Sequence, residues 1–343
     1  MKPLTVPMTT TLKTALCCAA SLVLACAHAQ QTDAARKQLL DYRAKAEQGD
    51  AAAQYNIGIY YKRGLGVAAD QVEAVKWFRK AAEQSDALAQ SILGGCYAFG
   101  QGVQKDYSEA AKWYRKAAEQ NDARAQNGLG ICYHDGQGVT KDLAEAVKWY
   151  RKAAEQNLAE GQGNLGHCYA NGEGVERDYA EAVKWLRKAA EQGIRQAQNN
   201  LGVLYHEGQG VAKDYAEAVK WYRKAAEQND IPAQAHLGLC YNTGEGVKED
   251  PKEAVRWLRK AADQAYAPAQ FALGLACYLG RGVAKDNVEA YAWLSLAAPT
   301  YALAAPDRDD LAGMMSPEQI AAGSKRTKEL RAQIEATLQS NAK

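Results

Sequence analysis

Seven tryptophans stand 36 residues apart along this chain: Trp77, Trp113, Trp149, Trp185, Trp221, Trp257 and Trp293. No insertion breaks the spacing. A fixed period of this length excludes an ordinary fold around one core, because each unit must bury its apolar face against the next copy. The expected architecture is all-α: an α/α superhelical solenoid of seven 36-residue helix-turn-helix repeats with N- and C-terminal helical caps. A chain of 343 residues would otherwise suggest two or so domains.

The repeats run 50–85, 86–121, 122–157, 158–193, 194–229, 230–265 and 266–301. Before them, 30–49 reads as a capping half-repeat: Ala46-Glu47-Gln48 matches Ala82-Glu83-Gln84, with Asp41 in the tryptophan place. The first helix of each repeat carries Ala53, Ile57 and Tyr61 at i, i+4 and i+8, beside Gln54 and Gly58. Gly58 recurs in all seven copies, although glycine inside a helix costs about 1 kcal/mol against alanine. That recurrence implies close approach by a neighbouring helix. A Gly-x-Gly turn such as Gly64/Gly66 then supplies a left-handed cap.

The second helix opens on an Asp/Glu capping box, Asp70/Glu73 in the first copy and Asp286/Glu289 in the last. Ala74, Trp77, Phe78 and Ala81 make its buried stripe, leaving Lys76, Arg79, Lys80 and Glu83 as a solvated face. In the last repeat Ala292, Ser295 and Leu296 replace the cationic positions of that face. The segment 302–343 is the candidate cover. Ser316-Pro317-Glu318-Gln319 is a helix start, and Ile320, Thr327, Leu330, Ile334 and Leu338 form a stripe behind it.

The first 29 residues read as a secretory signal. Lys2 and Lys13 precede the apolar run 14–25, which is too short to span a membrane, and Ala27-His28-Ala29 offers the cleavage site. The expectation is a periplasmic or secreted chain beginning at Gln30, with a lipoprotein anchored at Cys26 as the alternative. Removing Lys2 and Lys13 from 42 basic residues leaves 40 against 40 acidic ones. That balance gives no reason to expect nucleic acid or an anionic membrane surface as partner.

Five cysteines follow the leader. Cys96, Cys132, Cys168 and Cys240 occupy one repeat position, and Cys277 lies one residue out of register. Equivalent positions in stacked helical repeats lie about 10 Å apart, whereas a disulfide needs Cα atoms within about 7 Å. These cysteines therefore read as small buried apolar residues. The histidines His134, His167, His206 and His236 come from four different repeats, so no metal-ligand spacing is present. The Gly-x-Gly pairs follow helices, which excludes the usual phosphate loops. No nucleophile signature appears, and no cofactor, metal or catalytic residue is expected.

The repeat Ala-Gln-x-x-Leu-Gly-x-x-Tyr-x-x-Gly-x-Gly-Val-x-x-Asp-x-x-Glu-Ala-x-x-Trp-x-x-x-Ala-Ala resembles that of the Sel-one-like repeat family, a branch of the tetratricopeptide-like solenoids. The third copy carries it as Ala125-Gln126, Leu129-Gly130, Tyr133, Gly136 to Val139, Asp142, Glu145-Ala146, Trp149 and Ala153-Ala154. The resemblance implies right-handed stacking of helix pairs and an adaptor role in assembling protein complexes, often in bacterial envelopes. It implies a non-enzyme. A cysteine-rich branch of the family bridges the two helices of each repeat and has been linked to penicillin binding; this chain lacks the second cysteine of that pair.

Internal variation points to where a partner is read. At about 100° per residue, the uniform positions of the first helix occupy one arc and the variable positions the other. The variable arc carries Tyr55, Asn56, Lys62 and Arg63 in the first repeat and Asn127, His134 and Asp135 in the third. The fourth supplies Asn164 and His167, the fifth Asn199, Asn200, His206 and Glu207, and the sixth His236 and Asn242. First helices line the concave face in tetratricopeptide-like solenoids, so these residues form a candidate groove for a protein or peptide. Asparagine side chains would serve as amide donors and acceptors toward the partner backbone. The expectation is an exported, monomeric protein-interaction scaffold. An envelope enzyme acting on a β-lactam or peptidoglycan fragment, and a secreted host-interaction (virulence) factor, stand as alternatives.

Overall fold

A computed structural model describes residues 33–341; the leader, its cleavage site and Cys26 lie outside the described residues. Seventeen helices and no strand occur among them. The chain divides after Ala153 into two compact units.

In the first unit α1 (33–47) precedes three pairs: α2 Ala51–Arg63 with α3 Gln71–Glu83, α4 Ala87–Phe99 with α5 Tyr107–Glu119, and α6 Ala123–Asp135 with α7 Leu143–Glu155, the helix containing the division. The second unit holds four pairs: α8 Ala159–Asn171 with α9 Tyr179–Glu191, α10 Arg195–Glu207 with α11 Tyr215–Glu227, α12 Ile231–Thr243 with α13 Pro251–Ala262, and α14 Ala267–Leu279 with α15 Asn287–Ala297. Helices α16 Ala304–Gly313 and α17 Pro317–Asn341 follow.

The uniform residues hold each pair together. Gly94 of α4 lies under the Tyr114 ring of α5, and a Cβ there would stand 2.7 Å from Tyr114 Cδ1. Gly202 meets Tyr222 in the same way, at 2.7 Å. The close approach is thus made by an aromatic or leucine side chain of the same repeat rather than by a helix backbone. The buried glutamines join successive repeats. Gln90 Nε2 donates to Ala82 O at 2.9 Å, and Gln120 Nε2 donates to Gln90 Oε1 at 2.8 Å. Gln198 and Gln234 repeat the first contact on Ala190 and Ala226, at 3.0 and 3.4 Å. Each would be a costly buried polar group without these partners, which explains why the glutamine recurs in all seven repeats.

The capping pair differs in one half from the sequence expectation. Asp214 Oδ1 accepts from the Glu217 amide at 2.9 Å. The Glu217 carboxylate does not return to the cap; it pairs with Lys220 Nζ at 2.7 Å. The cause is that the Asp214 amide already donates to Tyr205 O at 2.9 Å, so no donor remains there. The cationic face is also less idle than its pattern suggests. Lys224 Nζ sits 4.1 Å from the Trp221 ring centroid, and Arg223 Nη2 donates to Tyr241 Oη of the next repeat at 2.9 Å. Arg187 donates likewise to Tyr205.

All five described cysteines are buried and free. Burial raises their thiols, Cys132, Cys240 and Cys277 to about 11 and Cys168 to about 12, which keeps them protonated apolar filler.

Helices α16 and α17 pack on α15. Leu311, Met315, Leu330 and Ile334 share a core with Ala292, Trp293 and Leu294. Ser316 N donates to Gln319 Oε1 at 2.9 Å and Gln319 N to Ser316 Oγ at 3.3 Å, a reciprocal cap. The buried stripe of α17 stops before Leu338, which is exposed. At 25 residues α17 is roughly 37 Å long and outruns the 11 residues, roughly 16 Å, of α15.

Candidate partner-binding face

Apart from Asn199, the variable residues are half-buried or exposed, with different degrees of freedom. In the first unit Tyr55 is half-buried with its ring 6.0 Å from Phe78, and Asn56 Nδ2 donates to Ala52 O of its own helix at 2.8 Å. That bond leaves Asn56 one N–H and its carbonyl for a partner. Lys62 is half-buried and Arg63 exposed at the end of α2. Asn127 is half-buried, and His134 Nδ1 lies 2.7 Å from Asp135 Oδ1.

In the second unit Asn164 is half-buried and His167 is exposed, its Nε2 2.9 Å from Asn171 Nδ2. Asn242 is half-buried, and its backbone carbonyl accepts from Arg281 at 2.5 Å. Asn199 is turned inward at 8% exposure. Its Oδ1 stands 3.0 Å from His236 Nδ1, and its Nδ2 donates to Asn200 Oδ1 at 3.4 Å.

The stacking of α10, α11 and α12 brings His206, Glu207 and His236 around one cavity of about 350 Å³. Three polar side chains that the variable-arc reasoning passed over complete its wall: Tyr222, Thr243 and Glu245. Glu245 is the middle residue of a Gly-x-Gly turn, a position that also changes from repeat to repeat (Leu65, Gln101, Glu173) and could have been included on that signal. Tyr222 carried no such signal, because it occupies the uniform stripe that covers Gly202.

The electrostatics of this cavity are set by burial. His206 Nε2 lies 3.2 Å from Glu245 Oε2, which also accepts from Thr243 Oγ1 at 3.3 Å. Burial first, and then the neighbouring His206, push His236 down to about 4, so its ring is neutral at pH 7. Since His236 Nδ1 faces the Asn199 carbonyl oxygen, the proton sits on Nδ1 and Nε2 is an acceptor. Burial, with Cys240 and Glu207 nearby, pushes the Tyr222 hydroxyl up and keeps it a phenol. No group of three or more metal-ligating side chains occurs among the described residues. No helix among them is long and apolar enough to cross a membrane.

These features define a helical-repeat protein whose variable positions present polar side chains. A family model described as "Sel1 repeat" matches residues 51–86, 87–122, 123–158, 159–194, 195–230, 231–266 and 267–298, and the chain belongs to that family. Sel1-repeat proteins are generally protein-interaction scaffolds, typically without enzymatic activity. Among solved structures, a Sel1 repeat protein from Oxalobacter formigenes is 36% identical with a TM-score of 0.64, over 71% of this chain and 96% of that one. A protective antigen of uropathogenic Escherichia coli strains with an SLR fold is 31% identical, over 89% of this chain and 82% of that one, with a TM-score of 0.43. The cysteine-rich protein B of Helicobacter pylori is 30% identical over 36% of this chain and 93% of that one, with a TM-score of 0.31. A search of curated proteins gave no match.

Proposed function

We propose that this chain is an exported scaffold that binds a segment of a protein partner on the variable face of its first helices. The observation that carries the reading is a division of labour within the repeat. Uniform residues are consumed by folding: Gly202 seats Tyr222, Gln198 bonds Ala190, and Trp221 is 7% exposed. The residues that differ between copies, Asn199 apart, keep polar atoms at the surface, and in α10 and α12 they surround a cavity. Export rests on the leader pattern at residues 1–29, with the periplasm or the exterior as destination and Cys26 as the lipid-anchored alternative. The domain plan follows from the same reading: leader, half-repeat 30–49, repeats 50–301 and a C-terminal cap at 302–343.

The test is panning of a displayed random-peptide library against the purified chain, followed by titration calorimetry of the enriched peptides. Charge and bulk substitutions at His134, His167 and Asn200 are expected to weaken binding tenfold or more. Peptides that bind every such variant unchanged would remove the first-helix face from consideration.

A further inference from the structure

The cavity between α10, α11 and α12 has a composition that selects one kind of occupant. Val203, Leu239 and Cys240 supply apolar wall. The polar atoms that remain unpaired there mostly accept protons. His236 Nε2 is an acceptor by tautomer, because Nδ1 is committed to Asn199. Glu245 has one oxygen engaged with His206 and Thr243 and the other uncommitted. Glu207 is exposed at the mouth and its carboxylate takes part in no ion pair. No lysine or arginine lines the space.

A second observation is independent of this charge. The Tyr222 side chain is 2% exposed and lines the cavity, and its hydroxyl makes no hydrogen bond. The phenol oxygen is thus open to a hydrogen bond from whatever enters the cavity. Its counterpart in the sixth repeat is Leu258 and in the seventh Leu294, which fill the same place over glycine without a polar atom. The hydroxyl is therefore not a requirement of the repeat.

We propose that this cavity is a pocket for an arginine side chain of the protein partner, a reading that rests on the scaffold function above. Guanidinium offers five donors and no acceptor, which suits a site of carboxylate, imidazole nitrogen and phenol oxygen. Its aliphatic stem would pass Val203 and Leu239, and its planar fork matches a carboxylate in two-point contact. Neutral His236 adds no opposing charge. An acidic side chain would be repelled by the two glutamates, and a purely apolar one would leave them and the Tyr222 hydroxyl without a donor.

The direct test titrates Nα-acetyl-L-arginine N-methylamide into the isotope-labelled chain and follows amide shifts. The expected result is saturable shifts confined to residues 203–245, lost at least tenfold in the Glu207→Gln/Glu245→Gln variant. Tyr222→Phe keeps the ring that packs on Gly202 and removes only the hydroxyl; it is expected to weaken binding several-fold with an unchanged melting curve. The citrulline analogue, equal in shape and uncharged, is expected to give no saturable shift. Equal binding of citrulline, preference for the lysine analogue, or absence of saturation by arginine would overturn the pocket. Loss of the scaffold reading shows differently: arginine amide binds, yet library peptides ignore both the pocket variants and substitutions along the first helices.

Discussion

Helices α11 and α15 occupy the same place in their repeats and differ in what covers them. On α11 the outer face meets water. Lys220 pairs with Glu217 at 2.7 Å, Lys224 lies over the Trp221 ring, and Trp221 Nε1 is buried without a partner. On α15 the outer face meets α17. Ala292 and Leu296 stand at the Lys220 and Lys224 positions, Trp293 is 0% exposed, and its Nε1 donates to Glu289 Oε1 at 3.0 Å. Glu289, released from a lysine, pairs with Arg326 of α17 at 2.7 Å. The cap aspartate, the glutamate and the tryptophan are the same in both helices. The ion-pair partner of the glutamate changes with the neighbour, so one motif serves a wet face and a dry one through the few residues on its outer side.

The sharpest way to break this contrast is to exchange the outer residues. Ala292→Lys places an ammonium between α15 and α17, where Glu289 is already engaged, and is expected to cost about 3–5 kcal/mol. Lys220→Ala removes an exposed pair and is expected to stay within about 0.5 kcal/mol. Urea unfolding of the full chain followed by tryptophan fluorescence compares the two; similar midpoints would dissolve the distinction.

The first helices can be contrasted through pH, since His236 of α12 has Ala272 as its counterpart in α14. In the unfolded chain the histidine titrates near its ordinary value of about 6.5, and in the folded chain near about 4. Its contribution is full above pH 6.5, because both states are then neutral. It falls as pH drops from 6.5 toward 4, where the unfolded chain binds the proton first. The loss is on the order of 3 kcal/mol. His236→Gln should flatten the pH dependence of stability in that window, and an unchanged slope would show that the ring protonates without resistance.

A third comparison should give equality. Gly202→Ala and Gly274→Ala each press a methyl into the residue that covers them, Tyr222 at 2.7 Å and Leu294 at 2.9 Å. Both are expected to cost about 2 kcal/mol in melting experiments, because the inner faces of wet and dry helices are alike. The smallest contrast lies in the capping glutamate. Glu289→Ala leaves Arg326 with Glu329 alone and the Trp293 indole without its acceptor, and should cost about 1–2 kcal/mol, against less than about 1 kcal/mol for Glu217→Ala. A double-mutant cycle with Arg326→Ala isolates the pair.

Much of the fold was legible because it is periodic. Helix pairs, aspartate caps, left-handed glycine ends and the buried tryptophan stripe each follow from local rules repeated seven times. The change from Lys to Ala at position 292 was enough to expect a cover. The glutamine contacts were less legible: Gln90 and Gln126 stand in every repeat motif, yet a conserved spacing does not say which carbonyl an amide will meet. Arg223 looked like solvated surface because a helix pattern shows only its own face, and Tyr241 belongs to the next repeat.

The candidate face divides in the same way. Variation among copies marked His206, Glu207 and His236 from the sequence, as it marked Asn56 and His167, without distinguishing residues that meet from residues that do not. The sequence by itself determined the repeat, its two helices, their caps and the positions free to vary, since those depend on interactions within a few residues. Only the tertiary structure decided that His206 of one repeat and His236 of the next share a cavity with Tyr222 and Glu245. It also decided that Asn199 turns inward to bond His236, and that Arg326 takes the carboxylate of Glu289. These contacts cross repeat or helix boundaries, where the angle between packed surfaces, rather than the spacing along the chain, sets which polar atoms come within 3 Å or so of one another.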